Sequence, residues 1–236
     1  MSLNHILDMV YPRACIGCHA RAPENSPYLC WDCQSSIMFV QPPFCSQCGD
    51  PVSGYIDHDY ICSFCAETRP AFDRARSVAR YEGVIRQMLR DLKYNDAIWL
   101  VGDLARMLEI CARAHYDLAA VDVVCAVPLY GARQRQRGYN QSRVLAEALA
   151  ERIHKPFISK GFRRIRPTPT QTDLTAGERL ANVKDAFSAV SRGWIEGKRI
   201  LLIDDVMTTG ATVHEASRAL RKCGASRIYV LTAARG

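Results

Sequence analysis

The stretch that decides the fold is RILLIDDVMTTGAT, residues 199–212. Its apolar run, Ile200 to Ile203, has no polar alternation, which is typical of a strand buried on both faces of a parallel sheet. Asp204 and Asp205 then end the strand. Open α/β sheets bind their ligands at the carboxyl ends of the strands. The stretch therefore predicts an α/β fold with two carboxylates at its ligand-binding edge.

The loop after the two carboxylates has the groups that hold a phosphate. It offers threonine hydroxyls, a glycine that allows close approach, and N–H groups at the start of an amphipathic helix. The predicted phosphate-binding residues are Val206, Met207, Thr208, Thr209, Gly210, Ala211 and Thr212. A 5-phosphorylated ribose suits this order, with its 2- and 3-hydroxyls on the two aspartates. The loop is not a P-loop, because it lacks the Gly-Lys-Ser/Thr sequence that a P-loop needs. The plainer alternative is a strand that ends in turn-forming aspartates and a threonine N-cap.

A second ligand loop is predicted after the buried strand from Val121 to Val127. It is dense in arginine, which suits a pyrophosphate group. Its candidate ligand residues are Leu129, Tyr130, Arg133, Arg137, Asn140 and Gln141. For Arg133 and Arg135 a solvated basic turn is the alternative. A helix is predicted to follow from Ser142 to Ile153.

Eight of the eleven cysteines form four Cys-x-x-Cys pairs near the N-terminus: Cys15/Cys18, Cys30/Cys33, Cys45/Cys48 and Cys62/Cys65. Two such pairs supply the four thiolates of a tetrahedral zinc site, so the sequence predicts two structural Zn2+ ions. The simplest pairing is sequential, and the spacing leaves a cross-brace open. Frequent proline and glycine predict strands and turns rather than helices here, with metal binding supplying much of the folding free energy.

Charge and composition predict two domains, a double zinc ribbon at 1–70 and a larger domain at 71–236. The first 70 residues hold three Lys/Arg against seven Asp/Glu, and the remainder holds 28 against 17. An acidic ribbon repels phosphate, so its aromatic side chains are predicted to form the ribbon's own core rather than to stack on bases. These side chains are Tyr28, Trp31, Phe39, Phe44, Tyr55, Tyr60 and Phe64.

The chain has no apolar run of about 20 residues, so it is not expected to span a membrane. Its first ten residues are interrupted by Asn4, His5 and Asp8, unlike a signal peptide. We therefore expect a cytoplasmic protein.

These motifs together resemble a known family. Residues 204–212 resemble the phosphoribosyl pyrophosphate (PRPP) signature of type I phosphoribosyltransferases. With the run RGYNQ at 137–141 and the paired cysteines, the chain resembles the ComF family, which includes the ComFC-type natural-transformation proteins and the gluconate-utilisation protein GntX. Tyr139 stands where phenylalanine is commoner, and packing should be preserved. The resemblance implies a type I phosphoribosyltransferase fold, a Rossmann-like parallel sheet flanked by helices, after a double zinc ribbon.

The resemblance also implies a ligand and a mechanism. PRPP would bind with Mg2+, and in an enzyme a nitrogen nucleophile would displace pyrophosphate from its C1 atom. Asp204 and Asp205 would be the catalytic residues, orienting the ribose and stabilising positive charge on its ring. A mobile loop with Gln171, Arg179 and Asn182 would close over the substrate, and a plain surface loop is the alternative.

Two functions stay open at this point. The first is a PRPP-binding protein of DNA uptake whose large domain handles single-stranded DNA, since residues 133–179 hold eleven basic side chains against four acidic ones. The second is an active Mg2+-dependent phosphoribosyltransferase in small-molecule metabolism. The sequence shows no pocket for an acceptor base, which favours the first.

Overall fold

The computed structural model describes residues 14–23, 28–167, 181–190 and 193–236. Its centre is a parallel sheet made of β1 (Arg74–Arg80), β2 (Val123–Ala126), β5 (Arg199–Met207) and β6 (Arg227–Arg235). The strand order is β1-β6-β5-β2, and each neighbouring pair runs parallel. A separate antiparallel pair consists of β3 (Phe162–Arg164) and β4 (Phe187–Ala189). The predicted parallel sheet is confirmed.

Helices cover both faces of this sheet. The helices of the described residues are α1 (Trp31–Ser35), α2 (Ser63–Thr68), α3 (Gly83–Tyr94), α4 (Val101–His115), α5 (Gly131–Arg137), α6 (Gln141–Arg152) and α7 (Ala211–Lys222), with 3-10 turns at Ile98–Leu100 and Leu118–Ala120. Those that cover the sheet are α3, α4 and α6 on one face and α7 on the other. The helix predicted from Ser142 to Ile153 is α6, one residue earlier at each end. Among the helices that the structure describes, none has the length and apolar character of a bilayer span.

Alternate residues of the central strands pack into two hydrophobic clusters. Leu201 and Ile203 of β5 belong to the cluster under α3, α4 and α6, whereas Ile200 and Leu202 belong to the one under α7. Successive side chains of a strand point to opposite faces of the sheet. The unbroken apolar run of β5 is therefore explained by burial on both faces.

The N-terminal segment covers the edge of the sheet. β1 is an edge strand, and the stretch at 38–40 runs antiparallel beside it: the Arg80 N–H donates to the Met38 carbonyl at 2.8 Å, and the Val40 N–H donates to the Val78 carbonyl at 3.0 Å. An uncovered edge strand exposes unpaired backbone groups and invites association with other chains. This stretch thus satisfies part of the free edge.

The two halves of the ribbon lie on opposite faces of the sheet. Cys15 and Cys30 belong to the hydrophobic cluster on the α3 side, while Cys45 and Cys65 belong to the cluster on the α7 side. The ribbon therefore straddles β1 and shares both cores of the large sheet. The domain boundary at residue 70 stays a prediction.

Two expectations for the ribbon are corrected. It contains the short helices α1 and α2, each beginning just after a cysteine, where strands and turns were predicted. The prediction of an aromatic core within the ribbon is wrong for Trp31, Phe39 and Tyr55, whose exposed fractions are 63%, 43% and 92%. Because the ribbon packs on the cores of the large sheet, it does not need these side chains inside.

A buried hydroxyl pair links the edge strand β1 to its neighbour β6 and gives a first prediction. Ser77 Oγ of β1 and Thr232 Oγ1 of β6 lie 2.7 Å apart. Thr232→Val leaves the Ser77 hydroxyl without this partner, so we expect the free energy of unfolding to fall by about 1–3 kcal/mol. The double variant with Ser77→Ala should recover part of that loss. Urea denaturation of the four proteins measures the coupling, and strictly additive effects would contradict the assignment.

Candidate functional site

The adjacent carboxylates lie within β5 rather than after it. β5 continues to Met207, and Asp204 lies beside Thr232 of β6 in the ladder. The exposed fractions of Asp204 and Asp205 are 7% and 6%. Two neighbouring carboxylates at this depth must be compensated by the groups around them.

Asp204 accepts two hydrogen bonds from uncharged donors. Its Oδ1 accepts from Ser142 Oγ at 2.7 Å and from the backbone N–H of Asp205 at 3.0 Å. Burial, followed by the charge of Asp205, raises the pKa of Asp204 to about 7. Asp204 therefore exchanges a proton near neutral pH, whereas an exposed aspartate stays ionised there.

Asp205 has a cation as its partner. It forms an ion pair with Lys93 and accepts from Gln141 Nε2 at 3.4 Å. Burial opposes ionisation, but the charge and hydrogen bond of Lys93 outweigh it and lower the pKa of Asp205. The ion pair likewise raises the pKa of Lys93 against the effect of its own burial. Near neutral pH Asp205 is thus ionised, whereas Asp204 is only partly ionised.

Lys93 was not among the predicted site residues. It lies in the last turn of α3, and the Tyr139 hydroxyl donates to the Leu92 carbonyl in the same turn. The tyrosine that replaces the commoner phenylalanine thus helps to hold the lysine in place. The sequence shows only a basic residue at a helix end, and nothing in it links this residue to β5.

A cavity of about 200 Å3 opens over the two carboxylates. It is lined by the predicted residues Leu129, Arg133, Arg137, Gln141, Asp204, Asp205, Val206 and Thr212, and by Lys93, Tyr94, Val127, Pro128 and Arg164. Four of these side chains carry a positive charge. Sequence reasoning missed Lys93, Tyr94 and Arg164, which reach the cavity from α3 and β3.

The arginine-rich segment predicted as a loop is the short helix α5. Arg137 in its last turn stacks on Tyr94, with 5.0 Å from Cζ to the ring centroid, and donates to Gln141 Oε1 at 3.0 Å. Arg133 lines both this cavity and an adjoining one of about 240 Å3. The adjoining cavity also contains Tyr130 and Arg164, which form a β-bridge. The arginines of α5 and β3 thus share one surface.

Asn140 supports the site without lining the cavity. Its Nδ2 donates to the Val127 carbonyl at 3.0 Å, and its Oδ1 accepts from the Ser142 N–H at 3.0 Å. Asn140 thereby caps α6 and ties it to the end of β2. This fixes Ser142, the partner of Asp204.

The threonine loop, residues 207–212, needs its glycine. Gly210 has φ +83°, and a Cβ added there would lie 2.7 Å from Met207 Cε. α7 begins at the next residue, so its N-terminus points its N–H groups toward the loop. Val206 and Thr212 line the cavity, while the side chain of Met207 is buried beneath the loop.

The predicted mobile loop is only partly described. Gln171 and Arg179 lie outside the described residues. The backbone carbonyl of Asn182 accepts a hydrogen bond from Arg166 Nη2 at 2.9 Å. Closure of this loop over a ligand therefore stays a prediction.

A larger cleft, of about 810 Å3, lies between the second half of the ribbon and β1. It contains Phe44, Tyr55 and Arg76 but not the adjacent buried carboxylates. Size alone therefore does not select the functional site, and the chemistry of the lining points to the smaller cavity.

The eight paired cysteines form two clusters. Cys15, Cys18, Cys30 and Cys33 make one, and Cys45, Cys48, Cys62 and Cys65 make the other, with the sulfur atoms of each cluster within 4.8 Å of one another. Four thiol ligands around one point fit a structural zinc ion. The sequential pairing is therefore the one the structure adopts, and the cross-brace is not. None of the eleven cysteines is in a disulfide.

Comparison with known proteins settles the family. The chain is 33% identical over 225 residues to competence protein F of Haemophilus influenzae, a match that covers 94% of this chain and 96% of that protein. It belongs to the ComF family. The DNA utilization protein YhgH of Escherichia coli is 30% identical over 86% of the chain and 95% of its own length. Competence protein ComFC of Bacillus subtilis is 28% identical, and the match covers 83% of this chain and 79% of that protein.

Two family models match this ComF protein. A double zinc ribbon domain matches residues 6–66, and a phosphoribosyl transferase domain matches residues 139–236. The predicted fold class is thus confirmed. Two solved structures resemble it only distantly. Adenine phosphoribosyltransferase is 14% identical with a TM-score of 0.39, and the match covers 72% of this chain and 89% of that one. Glutamine PRPP amidotransferase from Bacillus subtilis is 26% identical with a TM-score of 0.37, and the match covers 55% of this chain and 25% of that one.

The opposite surroundings of the two carboxylates give a second prediction. Asp204→Asn keeps both hydrogen bonds and removes a carboxyl whose ionisation at pH 8 is opposed by burial, so at that pH the free energy of unfolding should rise by on the order of 2 kcal/mol. The gain should shrink as the pH falls from 7 toward 4, because Asp204 is then protonated in the folded chain.

Lys93→Met leaves Asp205 buried without its cation and should lower the free energy of unfolding by about 3–5 kcal/mol.

Urea denaturation at pH 8 and pH 6 measures both effects. Lys198→Met, an exposed lysine just before β5, is the control for loss of one positive charge. Destabilisation by Asp204→Asn, or equal effects of the two lysine substitutions, would contradict these charge assignments.

Proposed function

We propose that this ComF-family protein binds PRPP or a related ribose 5-phosphate ligand and acts in DNA uptake and natural transformation, where its large domain handles single-stranded DNA in the cytoplasm. The observation that carries the proposal is the buried pair Asp204 and Asp205, surrounded by four cationic side chains beside the threonine loop. Carboxylates accept hydrogen bonds from ribose hydroxyls, and the cations complement phosphate groups.

Each part of the ligand has a partner in this arrangement. The 5-phosphate would lie in the threonine loop, at the N-terminus of α7. The ribose hydroxyls would donate to Asp204 and Asp205, and the pyrophosphate would lie against Arg133 and Arg137 of α5. Asp204 and Asp205 are the carboxylates of this cavity that could hold Mg2+, directly or through its waters, and the ion would offset the negative charge of the pyrophosphate.

The DNA-handling role is supported by the basic surface next to the ligand cavity. Arg133 and Arg164 line both adjoining cavities, so a strand bound on this surface would pass the PRPP site. Arginines bind a nucleic-acid backbone by neutralising its phosphates and releasing counterions. Relatives of this chain carry the names competence protein and DNA utilization protein, which agree with this role.

An active Mg2+-dependent phosphoribosyltransferase that transfers ribose 5-phosphate to a nitrogen acceptor is the second candidate. The match to a phosphoribosyl transferase domain favours it. Within the described residues, however, the cavity of about 200 Å3 is smaller than the roughly 300–1,000 Å3 of typical ligand pockets. It suits a sugar phosphate better than a sugar phosphate together with an acceptor base. Pyrophosphate release with candidate acceptors, including single-stranded DNA, tests this activity.

The PRPP site predicts the behaviour of a double substitution. Asp204→Asn/Asp205→Asn should weaken PRPP binding in the presence of Mg2+ by about tenfold or more, because the amides do not replace the anionic acceptors. Isothermal titration calorimetry measures the affinity. Asp122→Asn, which neutralises a carboxylate paired with Arg199 at the other end of β5, is the control. Equal affinity in the double variant and the wild type would rule out the ribose role.

The DNA role predicts a loss of both affinity and salt dependence. Arg133→Ala/Arg137→Ala should weaken binding of a labelled oligothymidylate and reduce the slope of log affinity against log salt by about 0.7 for each phosphate that is no longer neutralised. Fluorescence anisotropy at several salt concentrations measures both quantities.

The control for this experiment is Arg113→Ala/Arg152→Ala. It removes the same charge from the outer face of α4 and α6, where both arginines pair with Glu109. Equal reductions in the two variants would mean that only net charge matters. Unchanged binding in both would support the small-molecule function.

A further inference from the structure

The second half of the ribbon touches the threonine loop directly. Phe64 lies in α2 between the zinc ligands Cys62 and Cys65. A Cβ built on Gly210 would lie 3.7 Å from Phe64 Cε1, so the ring packs against this part of the loop. A residue held between two paired cysteines thus lies next to the glycine of the threonine loop.

Arg235 makes a second link between the same cysteine cluster and the loop. It lies at the end of β6 beside Met207 in the ladder, and the next residue, Gly236, donates its N–H to the Met207 carbonyl at 3.0 Å. Its buried guanidinium donates to the Cys48 carbonyl at 3.3 Å and to Asp50 Oδ1 at 3.0 Å. Arg235 is therefore fixed between the cluster and the base of the loop.

Charge strengthens this second link. Arg235 Nη2 lies 3.9 Å from Cys48 Sγ. Four thiolates around one zinc dication carry a net charge of −2, which a buried guanidinium at this distance partly balances. A filled cluster would therefore add an electrostatic contribution to the contacts that hold Arg235 in place.

The first cysteine cluster has different neighbours. Among the described residues, its surroundings contact α3 and α4: Gln87 Nε2 donates to the Ile16 carbonyl at 2.7 Å, and the Tyr28 N–H donates to Asp103 Oδ2 at 3.2 Å. Trp31 lies between Cys30 and Cys33 as Phe64 lies between its own ligands, yet Trp31 is 63% exposed. The two aromatic residues differ by one position within their Cys-x-x-Cys pairs, and Trp31 faces solvent whereas Phe64 faces the threonine loop.

We propose that the second zinc cluster positions the threonine loop, with Phe64 and Arg235 as the positioning residues. A loop fixed before the ligand arrives loses less conformational freedom on binding. Affinity for a phosphate group in the loop therefore depends on the second cluster and not on the first. The identity of the ligand rests on the proposed function, whereas the order of the loop does not.

Phe64→Ala, Arg235→Gln and Trp31→Ala, the control from the first cysteine cluster, test this proposal. All three keep the eight cysteines, and zinc content by mass spectrometry should stay at two ions per chain. Hydrogen exchange of the ligand-free proteins should show faster exchange of the amides at 207–212 in the first two variants only. PRPP affinity by calorimetry should fall about tenfold in these two and stay unchanged in Trp31→Ala. Phe64→Leu, which keeps an apolar contact, should restore most of the affinity.

The outcomes separate this proposal from the proposed function. If the wild type does not bind PRPP but the loop amides of Phe64→Ala exchange faster, the function fails and the positioning role stands. Unchanged loop exchange in both Phe64→Ala and Arg235→Gln overturns the positioning role, whether or not PRPP binds. If Phe64→Ala loses zinc, the test of the positioning role is the exchange of the amides at 207–212 in Arg235→Gln compared with Trp31→Ala.

Discussion

The structure depends on keeping two adjacent carboxylates inside the protein at the ligand edge of the sheet. Asp204 relies on Ser142 and on backbone, while Asp205 has the ammonium of Lys93. A buried pair of like charges is costly unless each member has its own partner. α6 and α3 supply these partners, so the packing of two helices is tied to the chemistry of the site. The same need explains why Asn140 and Tyr139 fix the turns that carry Ser142 and Lys93.

The ribbon is part of the large fold rather than an appendage. Its two cysteine clusters lie in the hydrophobic clusters on opposite faces of the sheet, and the stretch between them covers the edge strand β1. Metal binding contributes folding free energy to small cysteine-rich segments. Because those segments here share their cores with the sheet, the same free energy supports the surroundings of the ligand site.

The sequence predicted well wherever chemistry is local. The apolar run before Asp204, the paired cysteines and the helix after Gln141 all follow from residues that lie close together in the chain. The sequence-based predictions failed where the position of a side chain depends on contacts with an element far away in the chain. The ribbon aromatics were assigned to a core of their own, yet Trp31 and Tyr55 are exposed. Lys93 and Arg164 were interpreted only as parts of their own segments, although both line the ligand cavity.

By itself the sequence determined the parallel α/β class, the two four-cysteine sites and the adjacent carboxylates before a threonine loop. Such features are set by spacing along the chain, which fixes the hydrophobic periodicity and the two-thiolate geometry of each Cys-x-x-Cys pair. Only the tertiary structure decided which cysteine pairs meet, which cation balances Asp205 and which half of the ribbon contacts Gly210. These are contacts between residues far apart in the chain, and burial and charge balance select them only once the elements have packed.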